Sequence, residues 1–282
     1  MEPARRYGVK EQTSHSDEID AHVERLELNG CTWFDAGLDE AARSDIEAAF
    51  DRAFAAQADS HGGLDALRNI DEHNTIRAPL LYDRAFLNLA QNPAVLGLAA
   101  RIFRGAHETG GFILNQQNGI SNPPGGPYNQ GAWHRDLPYQ HFTTSRPLAI
   151  NALYCIEPFT LENGATLVAP GTHRRESFPS DALLDEIATP VCVPAGSFLV
   201  LDCMVFHSGG VNRSDTGRRA VNHVYTLPFI RQQIDLPAAL DEGGRLDHAA
   251  LDDAARRLLG FGNDAVRGPG DYYARRQARL NS

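Results

Sequence analysis

The sequence predicts an α+β protein: a mainly β core of jelly-roll (double-stranded β-helix) type with helices at both ends. Three observations predict it. Helical periodicity fills the first hundred residues, short runs rich in Ile, Leu, Val, Phe and Tyr begin near His107, and helical pattern returns from about Leu236. Gly, Pro, Asn and Asp punctuate the gaps between the apolar runs, as in an antiparallel sandwich or barrel rather than βαβ units. The 282 residues show no repeat and no linker. The expected organisation is one domain, 1–282: mainly helical support over 1–106, the jelly-roll core over 107–232 and a helical extension over 233–282.

The elements follow in order. "SDEIDAHVERLELNG" starts acidic and stops at Gly30, "DEAARSDIEAAFDRAFAAQA" carries apolar residues at helical spacing, and "NPAVLGLAARIFRG" opens with Asn-Pro and ends at Gly105. The strand candidates are "GGFILNQQ", "PLAINALYCIEP", "ATLVAP", "SFLVLDCMVFHS" and "RAVNHVYTLPFI". Between the first two lies "NGISNPPGGPYNQG", residues 118–131, with four glycines and three prolines. A segment of this kind is either a substrate lid or a plain surface loop. "DHAALDDAARRLLGFG" is the last expected helix.

Composition excludes several classes. With 26 basic against 36 acidic side chains the net charge is −10, which disfavours nucleic acid and anionic membrane as partners. The N-terminal stretch has no apolar signal core, and no run approaches the roughly 18 apolar residues of a spanning helix, so a cytoplasmic protein, monomer or homodimer, is expected. Cys31, Cys155, Cys192 and Cys203 are widely spaced and form no CxxC pair, which predicts buried free thiols.

The chemistry-bearing stretch is "GAWHRDLPYQHF", residues 131–142. Read as a strand, it points His134 and Asp136 to one side and Arg135 to the other, because side chains alternate faces. The triplet alone is common by chance. His207 ends the apolar segment "PAGSFLVLDCMVFH", where a buried imidazole needs a partner. That partner is either a backbone carbonyl or a metal shared with His134 and Asp136. The second reading makes a facial triad of two imidazoles and one carboxylate, the arrangement of non-haem Fe(II) oxygenases. Arg218 and Arg219 open a strand shortly after His207, and a guanidinium there suits the distal carboxylate of a 2-oxo diacid. Alternation lets only one of them face inward, and the other makes a surface salt bridge.

With these residues in place the chain resembles the phytanoyl-CoA dioxygenase (PhyH-like) family of Fe(II)/2-oxoglutarate-dependent oxygenases. The resemblance rests on "WHRD", "ENGATLVAPGTHR", "PAGSFLVLD" and "HSGGVNRSDTGRR", in family order over roughly residues 107–230. It implies His134, Asp136 and His207 as iron ligands and Arg218 as the residue pairing with the 2-oxoglutarate C5 carboxylate. Gln117 and Asn151 are further candidate co-substrate contacts. At positions where the family often carries an aromatic or hydroxyl side chain, this chain has Leu153 and Gly209. Asp136 stands where related halogenases have a small residue, which favours hydroxylation or another oxidation. The implied cofactors are Fe(II), 2-oxoglutarate and O2, with succinate and CO2 as co-products and a small-molecule substrate, a role suited to specialised metabolism. Trp133, Arg135, Tyr139, Gln140 and Phe142 are the candidate substrate contacts. For His141, His173 and His223, near the motifs, a contact to the site and an ordinary turn position both remain open. Two rivals stand beside the oxygenase: a cupin-like isomerase or hydrolase using another metal, and a non-catalytic jelly-roll binding module.

Overall fold

The computed structural model describes residues 4–104, 111–126, 128–136, 142–242 and 250–281. Its strands are β1 (Cys31–Asp35), β2 (Thr75–Arg77), β3 (Ile113–Asn122), β4 (Ala149–Cys155), β5 (Leu167–Val168), β6 (Thr189–Pro190), β7 (Ser197–Asp202), β8 (His207–Ser208) and β9 (Arg218–Thr226). They form a six-stranded sheet, β1-β7-β4-β9-β3-β2, and a three-stranded sheet, β6-β5-β8, with every pairing antiparallel. The helices are α1 (Glu18–Asn29), α2 (Glu40–Ser60), α3 (Leu64–Asn69), α4 (Arg84–Ala90), α5 (Pro93–Ile102), α6 (Asp181–Ile187), α7 (Leu236–Asp241), α8 (Asp253–Leu258) and α9 (Pro269–Leu280).

The first two expected helices form with the expected signals. Asp17 caps α1 by accepting from the Asp20 N–H, and Gly30 closes it in the left-handed region at φ 78°, where a side chain would be strained. The N-terminal third is nevertheless more than helical support, because β1 and β2 supply both edges of the large sheet. The third expected helix, α5, ends at Ile102, and Gly105 lies outside the described residues. The C-terminal prediction is shortened: α8 covers six residues, and α9 adds a helix that the sequence pattern had not marked.

Alternation along the central strands places the site. On β4, Ile150, Ala152 and Tyr154 face the helices and pack with Phe198 and Val200 of β7, Val221 and Tyr225 of β9, and Phe86, Leu87 and Leu98 of the helical layer. The opposite face carries Leu153, Cys155, Leu199, Leu201 and Ala220, packed against Val168 of the small sheet. A strand buried on both faces loses the simple apolar–polar alternation, which is why these runs read as continuously hydrophobic. Side chains at odd positions of β4 and even positions of β9 therefore point between the sheets.

Two expectations for loops and strands change. Residues 118–122 of the anticipated loop belong to β3. The "WHRD" stretch is no regular strand: His134 makes a single bridge with His207. Of the four free cysteines, Cys155 and Cys203 are buried as expected, but Cys31 is half-buried and Cys192 exposed. Among the described residues no helix is long and apolar enough to cross a membrane.

Candidate metal centre

His207 reaches the site through a tight turn after β7, in which Asp202 accepts from the Met204 and Val205 N–H groups. On β8 it pairs across the small sheet with Val168 of β5. The His134 N–H donates to the His207 carbonyl at 2.9 Å and the His207 N–H returns a bond to the His134 carbonyl at 3.1 Å. This reciprocal bridge brings the two imidazole rings to 4.4 Å between centroids. The Asp136 N–H donates to the Cys203 carbonyl, which turns the carboxylate toward the same point. One ligand atom from each of His134, Asp136 and His207 lies within 4.8 Å of the others.

The hydrogen bonds prepare these groups for a cation. His134 Nδ1 donates to the Ala132 carbonyl at 2.7 Å and His207 Nδ1 to the Val205 carbonyl at 3.1 Å. Both bonds fix the tautomer that leaves the Nε2 lone pair free. Burial, helped by neighbouring His207, holds His134 below the usual imidazole value and therefore neutral. Burial also opposes charge on His207 and Asp136, but their mutual attraction at 3.5 Å outweighs it, raising the imidazole and lowering the carboxyl. A divalent cation can replace that imidazole proton as the partner of the carboxylate. Two neutral-capable imidazoles and one carboxylate on a buried wall fit Fe(II).

Arg218 borders the same cavity. It is 3% exposed, its guanidinium lies 4.0 Å over the Phe159 ring, one Nη donates to the Gly164 carbonyl, and the other donates to the Tyr128 hydroxyl at 3.2 Å. Among the described residues its buried Nε has no hydrogen-bond partner and no carboxylate forms an ion pair with it. A buried cation without an anion is costly, and a guanidinium in this setting is able to receive one. Arg219 points the other way and pairs with Glu157, Glu47 and Asp51, as alternation required.

The remaining candidates divide. Asn151 lines the cavity, and its Nδ2 donates to Asp136 Oδ2 at 2.6 Å, so it touches the carboxylate of the His-Asp-His group. Gln117 does not reach the site. It is 1% exposed on the helix side, accepting from the Leu80 N–H and donating to the Phe86 carbonyl. The cause is a β-bulge between Leu114 and Gln116: Leu114 pairs with Tyr225 and Gln117 with His223, both on the helix face of β9, so one extra residue reverses the parity.

Arg135 likewise lies outside the cavity lining. It is 5% exposed and donates to the carbonyls of Met204, Thr172, Arg175 and Glu176 while stacking over Phe206 at 4.0 Å. Trp133 packs with Phe178 and Phe206 away from the cavity lining. Phe142 is 44% exposed and also outside that lining, while Tyr139, Gln140 and His141 lie outside the described residues. His173 bonds the Glu27 carbonyl and His223 the Ala152 carbonyl, both outside the cavity lining.

Sequence reasoning missed Tyr128 and Asn222, which both line the cavity. Asn222 stands four residues after Arg218 on β9, so period-two alternation could have found it. Tyr128 explains Gly209: a Cβ there would lie 1.9 Å from the tyrosine oxygen. The hydroxyl missing at Gly209 thus arrives from another segment. Burial keeps that phenol protonated, so it can donate to an anion while accepting from Arg218.

Fold and site together present a His-Asp-His group able to hold a metal ion, with a buried arginine in the same cavity, as a metal-dependent enzyme would. Residues 26–220 match the family described as phytanoyl-CoA dioxygenase (PhyH). The uncharacterized protein Rv1501 of Mycobacterium tuberculosis is 31% identical over 276 residues, covering 95% of this chain and 96% of that protein. The dioxygenase af480 of Aspergillus fumigatus is 26% identical over 245 residues, 82% of this chain and 74% of that one. The crystal structure of SnoN, described as a non-heme alpha ketoglutarate dependent epimerase from nogalamycin biosynthesis, shares the fold with a TM-score of 0.55 at 17% identity, covering 83% of this chain and 92% of SnoN. The chain belongs to the phytanoyl-CoA dioxygenase family and is an enzyme of the Fe(II)/2-oxoglutarate-dependent dioxygenase class.

Proposed function

We propose that the protein hydroxylates, or otherwise oxidises, a small molecule of specialised metabolism, releasing succinate and CO2, on a two-sheet core read as a jelly roll. His134, Asp136 and His207 hold Fe(II), and Arg218 with the Tyr128 hydroxyl receives the distal carboxylate of 2-oxoglutarate. The observation that carries this reading is the buried Arg218 cation, which has no carboxylate partner among the described residues and shares a cavity with the triad. An isomerase or hydrolase that uses only the metal has no need of it.

Bound iron and 2-oxoglutarate would activate dioxygen, the oxidant, which takes two electrons from 2-oxoglutarate and two from the substrate, while the chain's own residues bind and orient. Backbone carbonyls aim both imidazoles, Phe159 supports the guanidinium, and apolar Ile120, Leu153 and Leu201 limit water in the cavity. Anaerobic addition of Fe(II) and then 2-oxoglutarate tests the reading. A visible charge-transfer band is expected, and R218A should lose it at the same co-substrate concentration. Metal bound normally without any band refutes it. Succinate release stimulated by members of a small-molecule panel then identifies the substrate.

A further inference from the structure

We infer that Asn151 is a positioning residue that keeps Asp136 a one-oxygen ligand and so preserves the coordination position dioxygen requires; the inference rests on the Fe(II)/2-oxoglutarate reading above. Asn151 sits on β4, 2% exposed, on the face between the sheets. Its amide orientation is dictated by chemistry, because an ionised carboxylate only accepts hydrogen bonds and the nitrogen end must face Asp136. The resulting 2.6 Å bond goes to Oδ2, whereas Oδ1 is the oxygen 3.5 Å from His207 Nε2. The two carboxylate oxygens therefore have separate tasks: Oδ1 lies on the histidine side for the cation, and Oδ2 is held by a charge-assisted bond to β4. The Asp136 N–H is tied to the Cys203 carbonyl, so the carboxylate can reorient only about its own side-chain torsions.

Coordination arithmetic shows why this matters. An octahedral ion offers six positions, of which a facial triad takes three and a chelating 2-oxo acid two, leaving one. A carboxylate that swung both oxygens onto the ion would take that last position. Asn151 holds Oδ2 away from it. The other end of the amide belongs to the same cavity-lining residue: among the described residues, the buried Oδ1 of Asn151 has no hydrogen-bond partner. A water or ligand group in the cavity would satisfy that acceptor.

Water-proton relaxation of the Mn(II)-loaded protein tests this without turnover, since it counts waters on the bound ion. Wild type, N151L, N151A and N151S are compared per bound Mn(II), so partial misfolding of one variant does not obscure the result. N151L approximates the shape of asparagine without its donor, and N151S is too short to reach Oδ2. Wild type should hold about three waters and the variants about two, lowering the inner-sphere contribution to about two thirds. After saturation with 2-oxoglutarate, wild type should keep about one water and the variants none. Equal water counts in wild type and all variants overturn the role of Asn151 while leaving the metal centre intact. Failure of wild type to bind Mn(II) overturns the metal reading itself, and this inference with it.

Discussion

Arg135→Met tests whether the arginine inside the HxD triplet clamps the fold or contacts substrate. In the structure its guanidinium serves four backbone carbonyls, on Met204 at 2.7 Å, Thr172 at 3.2 Å, Glu176 at 3.4 Å and Arg175, and stacks on Phe206. Methionine keeps the apolar volume and removes the donors. Hydrogen bonds from a charged group are each worth about 1.5–3 kcal/mol, but removing the cation also recovers its burial cost, so the net loss should be about 3 kcal/mol. Asp202 partly offsets that burial cost, since its carboxylate favours the arginine's charge. For a chain of this size a loss of that order lowers Tm by about 6–12 °C. Because Arg135 stands between His134 and Asp136, Mn(II) affinity should also fall, by about 10–100-fold. Thermal unfolding and metal titration measure both. Unchanged Tm and metal affinity, with only a raised KM for substrate, would refute the clamp and return Arg135 to the substrate side.

Gly209→Ala should expel Tyr128, since the new Cβ would lie 1.9 Å from the phenol oxygen and 2.7 Å from Cζ. Loss of one hydrogen bond to a charged group predicts about 10- to 100-fold weaker 2-oxoglutarate binding in an anaerobic titration. In a Tyr128→Ala background G209A should add nothing, and equal losses in both backgrounds would exclude the clash. Gln117→Ala should leave 2-oxoglutarate affinity unchanged but cost about 2 kcal/mol in urea unfolding, because the Leu80 N–H and Phe86 carbonyl lose their buried partner. His223 is pushed down to about 4 by burial, despite its bond to the Ala152 carbonyl. Above about pH 6.5 it is neutral folded and unfolded and contributes nothing; as pH falls toward about 4 only the unfolded chain takes the proton, so up to about 3 kcal/mol of stability is lost. His223→Gln should flatten the stability curve across that window, and parallel curves for wild type and variant would contradict it.

The legible parts of the site were those that residue type and local context control. The HxD pair and the histidine ending an apolar run follow from residue type, and the structure brings these three together although the HxD stretch is no regular strand; only the inward–outward choice between Arg218 and Arg219 follows from two-residue alternation. Gln117, a candidate that the family resemblance supplied, lies on the helix side because a single bulged residue reverses the facing of everything beyond it, and one strand's sequence does not show where its partner forces a bulge. The edge strands β1 and β2 escaped notice because they are only five and three residues long and lie among helices.

The sequence by itself determined the donor set: two imidazoles, a carboxylate and a guanidinium, chemistry that no backbone arrangement could create from other side chains. Only the tertiary structure decided what those groups meet. Tyr128 reaches Arg218 across 90 residues, and Arg135 reaches Met204 across 69. Such partners are selected by how sheets and turns pack, through hydrogen bonds that any carbonyl or hydroxyl could make, so neighbouring letters carry no trace of them.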